Sequence, residues 1–382
     1  MDPCGKALLC VTEDWFALSH FRPVITVLRE VAQDVVVVTR CGEAGEALRD
    51  QGVRVIDFDY RRRSTAPAVE LATARRLKSL IEAERPDLVH LIALKPIVLG
   101  AIAMRTMAPR PTVIHLTGLG LLGSATTVRQ RIVRALALRL ARSALLRPRS
   151  AAICENPDDL AVLTGGIART GADIVIGGAG IDPDHFAPLP PPQHATPVAA
   201  FAGRLIHSKG LTTLADAARL LRQRNTPLAI EVYGSIDADN RDALQPETLR
   251  AWTRDGPLTW RGEIADVRDI WRRADMFVLP SRGGEGLPRA ALEAAACARP
   301  LVVTDVPGCR HLVRDGIEGL VVPRDDPAAL AAALDRLARD AALRQDMGRA
   351  ARARVLSGFT EAHVTASLRA CYAALLSPPG SV

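Results

Sequence analysis

The stretch "MFVLPSRGGEGLPRAALEAAACARPLVVTD", residues 276–305, sets the reading of the whole chain. "MFVLPS" is a short apolar run that reads as a buried strand, and "RGGEG" as a glycine-rich loop. "LPRAALEAAAC" reads as a helix, with Pro288 suited to its first turn, and "PLVVTD" as the next strand. The same alternation runs through most of the sequence. "KALLCVT", "DVVVVTR", "GVRVIDF", "PDLVHLI" and "PTVIHLT" read as strands in the first half, with helical stretches such as "AVELATARRLKSLIEAE" between them. "VAAFAGR", "LAIEVYG", "LTWRG" and "GLVVP" continue the pattern in the second half. Strand and helix in alternation imply an α/β fold, a parallel sheet with helices on both faces. Between the halves, "FAPLPPPQHATP" carries five prolines in a dozen residues and reads as a stiff linker. The expected organisation is two doubly wound, Rossmann-like domains: residues 1–186, a linker at 187–197, and residues 198–356. A final helical segment, 357–382, is expected to pack back towards the first domain. Ligands of such sheets bind beyond the carboxyl ends of the strands, so the cleft between two such domains is the expected site.

Composition narrows the possibilities. A chain of 382 residues is long enough for about two domains. No uninterrupted apolar run approaches the roughly 20 residues of a membrane span, and the N-terminal "MDPCGKALLCVTED" does not read as a secretory signal. The seven cysteines are scattered, without a C-x-x-C pair, which suits reduced thiols in the cytoplasm rather than a disulfide framework or zinc site. The net charge of +7 is unevenly spread. From Leu88 to Cys154 there is no Asp or Glu, whereas arginines recur from Arg105 to Arg149, which predicts a positive patch. With only 4% aromatic residues and no stacking platform, a nucleic-acid partner is not expected. Neither half has G-x-G-x-x-G after its first strand, which argues against a nicotinamide dehydrogenase.

The chemistry-bearing residues cluster in the second half. In "FAGRLIHSKGLTTL", Arg204 and Lys209 flank a turn that leads from a strand into a helix. Two cations beside a helix start make an anion site. In the opening stretch Glu285 lies in the loop ahead of the helix. Glu293 lies on the helix, about 7.5 Å along its axis from Pro288. Among small alanines, Glu293 is either a cleft-facing carboxylate for vicinal hydroxyls such as those of a ribose, or an ordinary exposed helix residue.

"AGRLIHSKG" followed by "VLPSRGGEGLPRAALEAAACARPLVVTDVPGCRHLVRDGIEGLVV" closely resembles the C-terminal domain of family 4 retaining glycosyltransferases, which have the GT-B fold of two Rossmann-like domains facing a central cleft. The glutamate pair matches that family's E-x7-E motif. The resemblance implies that Arg204 and Lys209 hold the diphosphate of a nucleotide-sugar donor and stabilise the departing nucleotide by fixed charge. It implies that Glu285, with the backbone of Gly286 and Leu287, addresses the donor sugar, and that Glu293 binds the ribose. Base recognition falls near Arg261 and Gly262. No metal or other cofactor is implied beyond the co-substrate, so "DFD" (57–59) and "DAD" (237–239) are not expected to be metal sites.

In the first half, "EDWFALSHFRPVITVLRE", "PDLVHLIALKPIVLGAIAMR" and "VIHLTGLGLLGS" resemble a subgroup that extends polyprenyl-diphosphate-linked sugars in bacterial glycan assembly. This implies a UDP-sugar donor, with an N-acetylhexosamine as the leading choice, and acceptor contacts at Lys95, Thr117 and Gly118. The family's histidine near the reacting sugar corresponds to either His115, as a catalytic residue, or Thr117. His20, read in the loop after the first strand, either contacts the acceptor diphosphate or orders the loop. The basic segment 127–150 alternates Val128, Ile132, Leu136 and Leu140 with arginines, a pattern suited to a helix lying on an anionic membrane; Arg61, Arg62 and Arg63 are candidates to extend it. The expected protein is a peripheral enzyme on the inner face of the cytoplasmic membrane. The alternatives are a soluble or different lipid acceptor, or a nucleotide-sugar epimerase on the same fold.

Overall fold

The computed structural model describes residues 3–61, 64–123, 127–166, 172–236, 240, 242–254, 256 and 258–377. Arg62, Arg63 and the "DAD" of 237–239 lie outside the described residues. The chain divides into two compact units, Met1–Gly180 with Glu361–Val382, and Ile181–Thr360.

The first unit is built on seven parallel strands: β1 (Cys4–Glu13), β2 (Ala32–Arg40), β3 (Arg54–Asp57), β4 (Leu88–Ile92), β5 (Thr112–Leu116), β6 (Ser150–Cys154) and β7 (Ile174–Val175). Their order is β3-β2-β1-β4-β5-β6-β7, with Leu8 beside Val36 and Val89. Successive side chains of these strands enter two different cores. Leu8, Cys10, Val36, Val38, Val89 and Leu91 pack on one face, and Ala7, Leu9, Val11, Val35, Val37 and Leu88 on the other. That is why the strands read as continuous apolar runs rather than alternating ones: a parallel sheet is covered on both sides. The strands β6 and β7 escaped the sequence reading. "SAAIC" offers only one large apolar residue, and β7 is two residues long.

The helix Glu361–Leu376 buries Val364, Leu368, Cys371, Tyr372 and Leu375 in the same core as Leu9 and Leu28. Arg369 ties it to Glu30 on the helix Arg22–Val31, at 2.6 and 2.8 Å.

The second unit has six parallel strands: β8 (Val198–Ala202), β9 (Ala229–Tyr233), β10 (Thr259–Gly262), β11 (Met276–Leu279), β12 (Leu301–Thr304) and β13 (Gly319–Val322), ordered β10-β9-β8-β11-β12-β13. The expected boundary at 186/187 is corrected: the division falls between Gly180 and Ile181. Phe186 is buried in the second unit's core. Arg299 holds the carbonyls of Leu189 and Pro190, at 3.3 and 2.8 Å, and Arg352 holds that of Pro183 at 3.0 Å. The start of the proline-rich segment is thus a strap fastened to the second unit, because proline carbonyls remain acceptors even where N–H donors are missing.

Candidate active site

In the second sheet the chain runs outward from β8 through β9 to β10, then returns to place β11 on the other side of β8. The loops that leave β8 and β11 therefore diverge from neighbouring strands, at the topological switch point where doubly wound sheets bind ligands. The first loop carries Arg204 and the short turn His207–Lys209, then enters the helix Leu211–Gln223 through Gly210. The second carries Ser281 and Glu285 and enters the helix Arg289–Ala296. Gly210 has φ +74°, and a Cβ there would stand 1.8 Å from the Pro280 carbonyl oxygen. Only glycine lets the two loops approach so closely.

The approach brings Lys209 and Glu285 together. Lys209 Nζ lies 2.7 Å from one Glu285 carboxylate oxygen and 2.8 Å from the other, with the side chains 15% and 14% exposed. The backbone N–H of Arg282 donates to the Ser208 carbonyl at 2.8 Å and staples the same loops. From the far side, Gly308 lies against the 285–286 backbone; a Cβ there would fall 2.0 Å from the Gly286 oxygen. Leu287 is buried. Arg204 is exposed, and its side chain has no hydrogen bond or ion pair among the described residues. The site thus holds one cation clamped by a carboxylate and a second open to solvent, an arrangement that can accept a diphosphate.

Glu293 does not fit the second of its two expected descriptions, that of an exposed helix residue. It is 6% exposed, so it is no surface helix residue, and its carboxylate holds Arg289 Nε at 2.9 Å. Burial pushes its carboxyl above the ordinary range, with Arg289 acting in the opposite direction. Gly262 ends β10 at φ +77° with open space where a Cβ would be. Its neighbour Arg261 is engaged elsewhere. Together with Arg273 and the Tyr233 hydroxyl, it holds the Glu231 carboxylate, at distances from 2.6 to 3.2 Å. Burial raises the Glu231 carboxyl, but these donors outweigh it and hold it down to about 2.

The first unit has its own switch point between β1 and β4. The residues expected there for an acceptor behave differently from one another. His20 is the last residue of the helix Asp14–His20 rather than a loop residue, with Nδ1 2.7 Å from Ser19 Oγ. Lys95 is committed to the Glu70 carboxylate and to the Ser64 carbonyl at 2.9 Å, so it braces two helices instead of presenting a cation. Ala93, two residues before it, has φ +70° and ψ 159°, a conformation that costs a non-glycine residue on the order of 1–3 kcal/mol.

His115 is corrected from a candidate catalytic residue to a core residue. It is wholly buried within β5, with Nδ1 3.2 Å from His90 Nε2 and its ring edge-on to Phe21; His90 Nδ1 in turn lies 2.6 Å from the Tyr372 hydroxyl. Burial pushes the His115 imidazole down to about 3, so it is neutral at physiological pH. Thr117 and Gly118, past the end of β5, stand at the carboxyl edge of the sheet. The His90, His115 and Tyr372 chain and the Glu231 cluster escaped the sequence reading. The signal was a polar residue inside an apolar strand, as in "LVHLI" and "AIEVY".

The arginine-rich segment is sorted by the structure. Arg142 is spent on the Leu163 and Val162 carbonyls, at 3.2 and 2.8 Å, Arg147 on Met107 at 2.7 Å, and Arg149 on Leu375 and Leu376. Leu140 packs partly against the core. What remains outward on the helix Val128–Leu145 is the row Val128, Ile132 and Leu136, 72%, 55% and 57% exposed, with Arg129, Arg131 and Arg139 also exposed. No described helix is long and apolar enough to cross a membrane.

Two family models match the chain. The model described as glycosyl transferases group 1 covers residues 196–340, and the one described as glycosyl transferase 4-like covers residues 6–146. The chain belongs to the family 4 glycosyltransferases of the GT-B type, with two Rossmann-like domains of seven and six strands. Among solved structures it is similar to Anabaena HepE, crystallised with UDP-glucose, with a TM-score of 0.76 over 96% of this chain and 99% of that one, at 18% identity. It is 23% identical to the Campylobacter jejuni N,N'-diacetylbacillosaminyl-diphospho-undecaprenol alpha-1,3-N-acetylgalactosaminyltransferase over 87% of this chain and 89% of the relative. It is 32% identical to a Paenarthrobacter aurescens D-inositol 3-phosphate glycosyltransferase, over 50% of this chain and 44% of the relative. Several of the relatives it matches are spanned over only about half of their length.

Proposed function

We propose that this chain transfers a sugar, with retention of anomeric configuration, from a UDP-sugar to a polyprenyl-diphosphate-linked sugar. The observation that carries the reading is the pair of loops at the β8/β11 switch point, where Lys209 is poised on Glu285 and Arg204 is open. Arg204 and Lys209 take the donor diphosphate and offset the charge that grows on the leaving UDP, a role fixed cations fill without a metal. Glu285, beside them, addresses the sugar. Glu293 binds the ribose with Arg289 as its partner, and Gly262 leaves room for the base. Thr117 and Gly118 line the acceptor side.

The UDP-glucose complex of HepE supports the donor, and the name of the Campylobacter relative supports an N-acetylhexosamine and a diphospho-undecaprenol acceptor. The exposed apolar row flanked by arginines supports a seat on the anionic inner face of the cytoplasmic membrane, where such an acceptor resides. A second reading, a soluble phosphorylated acceptor, is favoured by the inositol phosphate relative.

The test presents UDP-N-acetylgalactosamine and UDP-glucose with a polyprenyl-diphosphate-linked sugar in anionic vesicles, and in parallel with inositol 3-phosphate. Product on the vesicle acceptor, lost in Glu285→Ala, is expected. Product on inositol phosphate alone would replace the acceptor. Full turnover in Glu285→Ala would remove that residue from the mechanism.

A further inference from the structure

One buried hydroxyl stands against the carboxylate at the centre of this site. Ser281 is wholly buried two residues past β11. Its Oγ lies 3.1 Å from Glu285 Oε1 and 3.5 Å from the Ser208 carbonyl, and accepts the Gly283 N–H at 3.3 Å. A hydroxyl has a single proton to donate. The shorter contact, to an ionised acceptor, takes it, and the Gly283 N–H turns the oxygen's lone pair away from Glu285. The residue's own carbonyl is held by the buried hydroxyl of Thr304 at the end of β12. Ser281 is thus fixed from a neighbouring strand while it grips a carboxylate carried by a loop rich in glycine, Gly283, Gly284 and Gly286.

Lys209 and Ser281 both hold the Glu285 carboxylate. If Lys209 turns to a diphosphate, the serine contact stays in place.

We propose that Ser281 is a positioning residue, whose hydroxyl keeps the Glu285 carboxylate aimed at the donor sugar once Lys209 has been taken by the donor phosphates. This rests on the reading of the loops as a donor site.

The test compares the wild-type chain with Ser281→Ala and Ser281→Cys, using UDP release from UDP-N-acetylgalactosamine and UDP-glucose in the presence of vesicles carrying the polyprenyl-diphosphate-linked sugar for kcat and KM, and the shift of the thermal midpoint by UDP for binding. Loss of one hydrogen bond to a charged group predicts a kcat lower by about ten- to a hundredfold in Ser281→Ala. The donor KM and the UDP-induced shift should stay within about twofold, and Ser281→Cys, a weaker donor of similar size, should fall between. A Ser281→Ala variant with wild-type kcat overturns the proposal. So does one in which kcat, UDP shift and unliganded midpoint fall together, since that is the mark of a purely structural residue. A wild-type chain that neither binds UDP nor releases it from either donor would instead sink the reading of the site, and this inference with it.

Discussion

Replacing Glu285 with Gln should make UDP bind more tightly while it abolishes transfer. In the ligand-free chain Lys209 is held by both Glu285 oxygens, at 2.7 and 2.8 Å, in a pair with about one-seventh of its side-chain surface exposed. Two charges about 3 Å apart attract by about 5 kcal/mol at an effective dielectric constant near 20. Desolvation cancels much of that. Exposed pairs couple by about 0.2–1 kcal/mol, and breaking a buried pair costs about 3–5 kcal/mol. A coupling of about 1–3 kcal/mol follows for this intermediate burial. A diphosphate that recruits Lys209 must give up part of it, and must also approach the Glu285 charge. Gln keeps the shape and an oxygen for Ser281 but releases both penalties. Recovering about 1.4 kcal/mol tightens binding about tenfold. At UDP well above Kd that gain appears in full as added stability, about 3–5 °C for a unit of this size. The assay is calorimetric titration with UDP, checked by thermal shift, on wild type, Glu285→Gln, Lys209→Met and the double variant. Lys209→Met should weaken binding, and the double variant should resemble it, because the gain acts through the lysine. Unchanged or weaker UDP binding in Glu285→Gln would refute the idea that the pair is a resting state broken by the donor.

Three further outcomes follow from the same geometry. His115, with an ordinary value of 6.5, is pushed by burial to about 3 in the folded chain, and His90 is pushed the same way by burial and by His115. The unfolded chain therefore takes up protons first. Stability present above pH 6.5 should fall as pH drops towards 3, by up to about 1.4 kcal/mol per pH unit for each histidine; the urea midpoint from pH 7.5 to 5 measures this, and an unchanged slope in His115→Phe would contradict it. Changing Val128, Ile132 and Leu136 together to Ser should leave the thermal midpoint nearly unchanged, because all three are more than half exposed, yet cut flotation with anionic vesicles about tenfold or more; equal flotation would remove the helix from membrane contact. Gly308→Ala puts a Cβ 2.0 Å from the Gly286 oxygen, whereas Gly358→Ala meets nothing within 4 Å. The first should cost about 1–3 kcal/mol and displace the Glu285 loop with loss of turnover, the second neither; matching melting curves would show that the loop is not seated on Gly308.

The sequence by itself determined the alternation of strand and helix, the two sheets, and the short segments that carry Arg204, Lys209 and Glu285. These are legible because they are local. A parallel strand covered on both faces must be apolar along its length, a helix between strands shows its own periodicity, and Glu285 stands eight positions before Glu293 whatever else the chain does. Tertiary structure alone decided what each polar side chain does with its charge. Lys209 meets Glu285 across 76 positions, and His90 meets Tyr372 across 282. Lys95 was read as an acceptor contact, but Glu70, from another helix, claims it. Arg142, Arg147 and Arg149 were read as part of a patch, yet each lies beside unpaired carbonyls at helix ends or in turns and is taken by them. The Glu293 carboxylate among alanines has the same explanation, since it is buried by the unit that packs around it and balanced by Arg289 one turn before it. Burial and long-range partners set the cost of a charge, and neither is written in the residues that flank it.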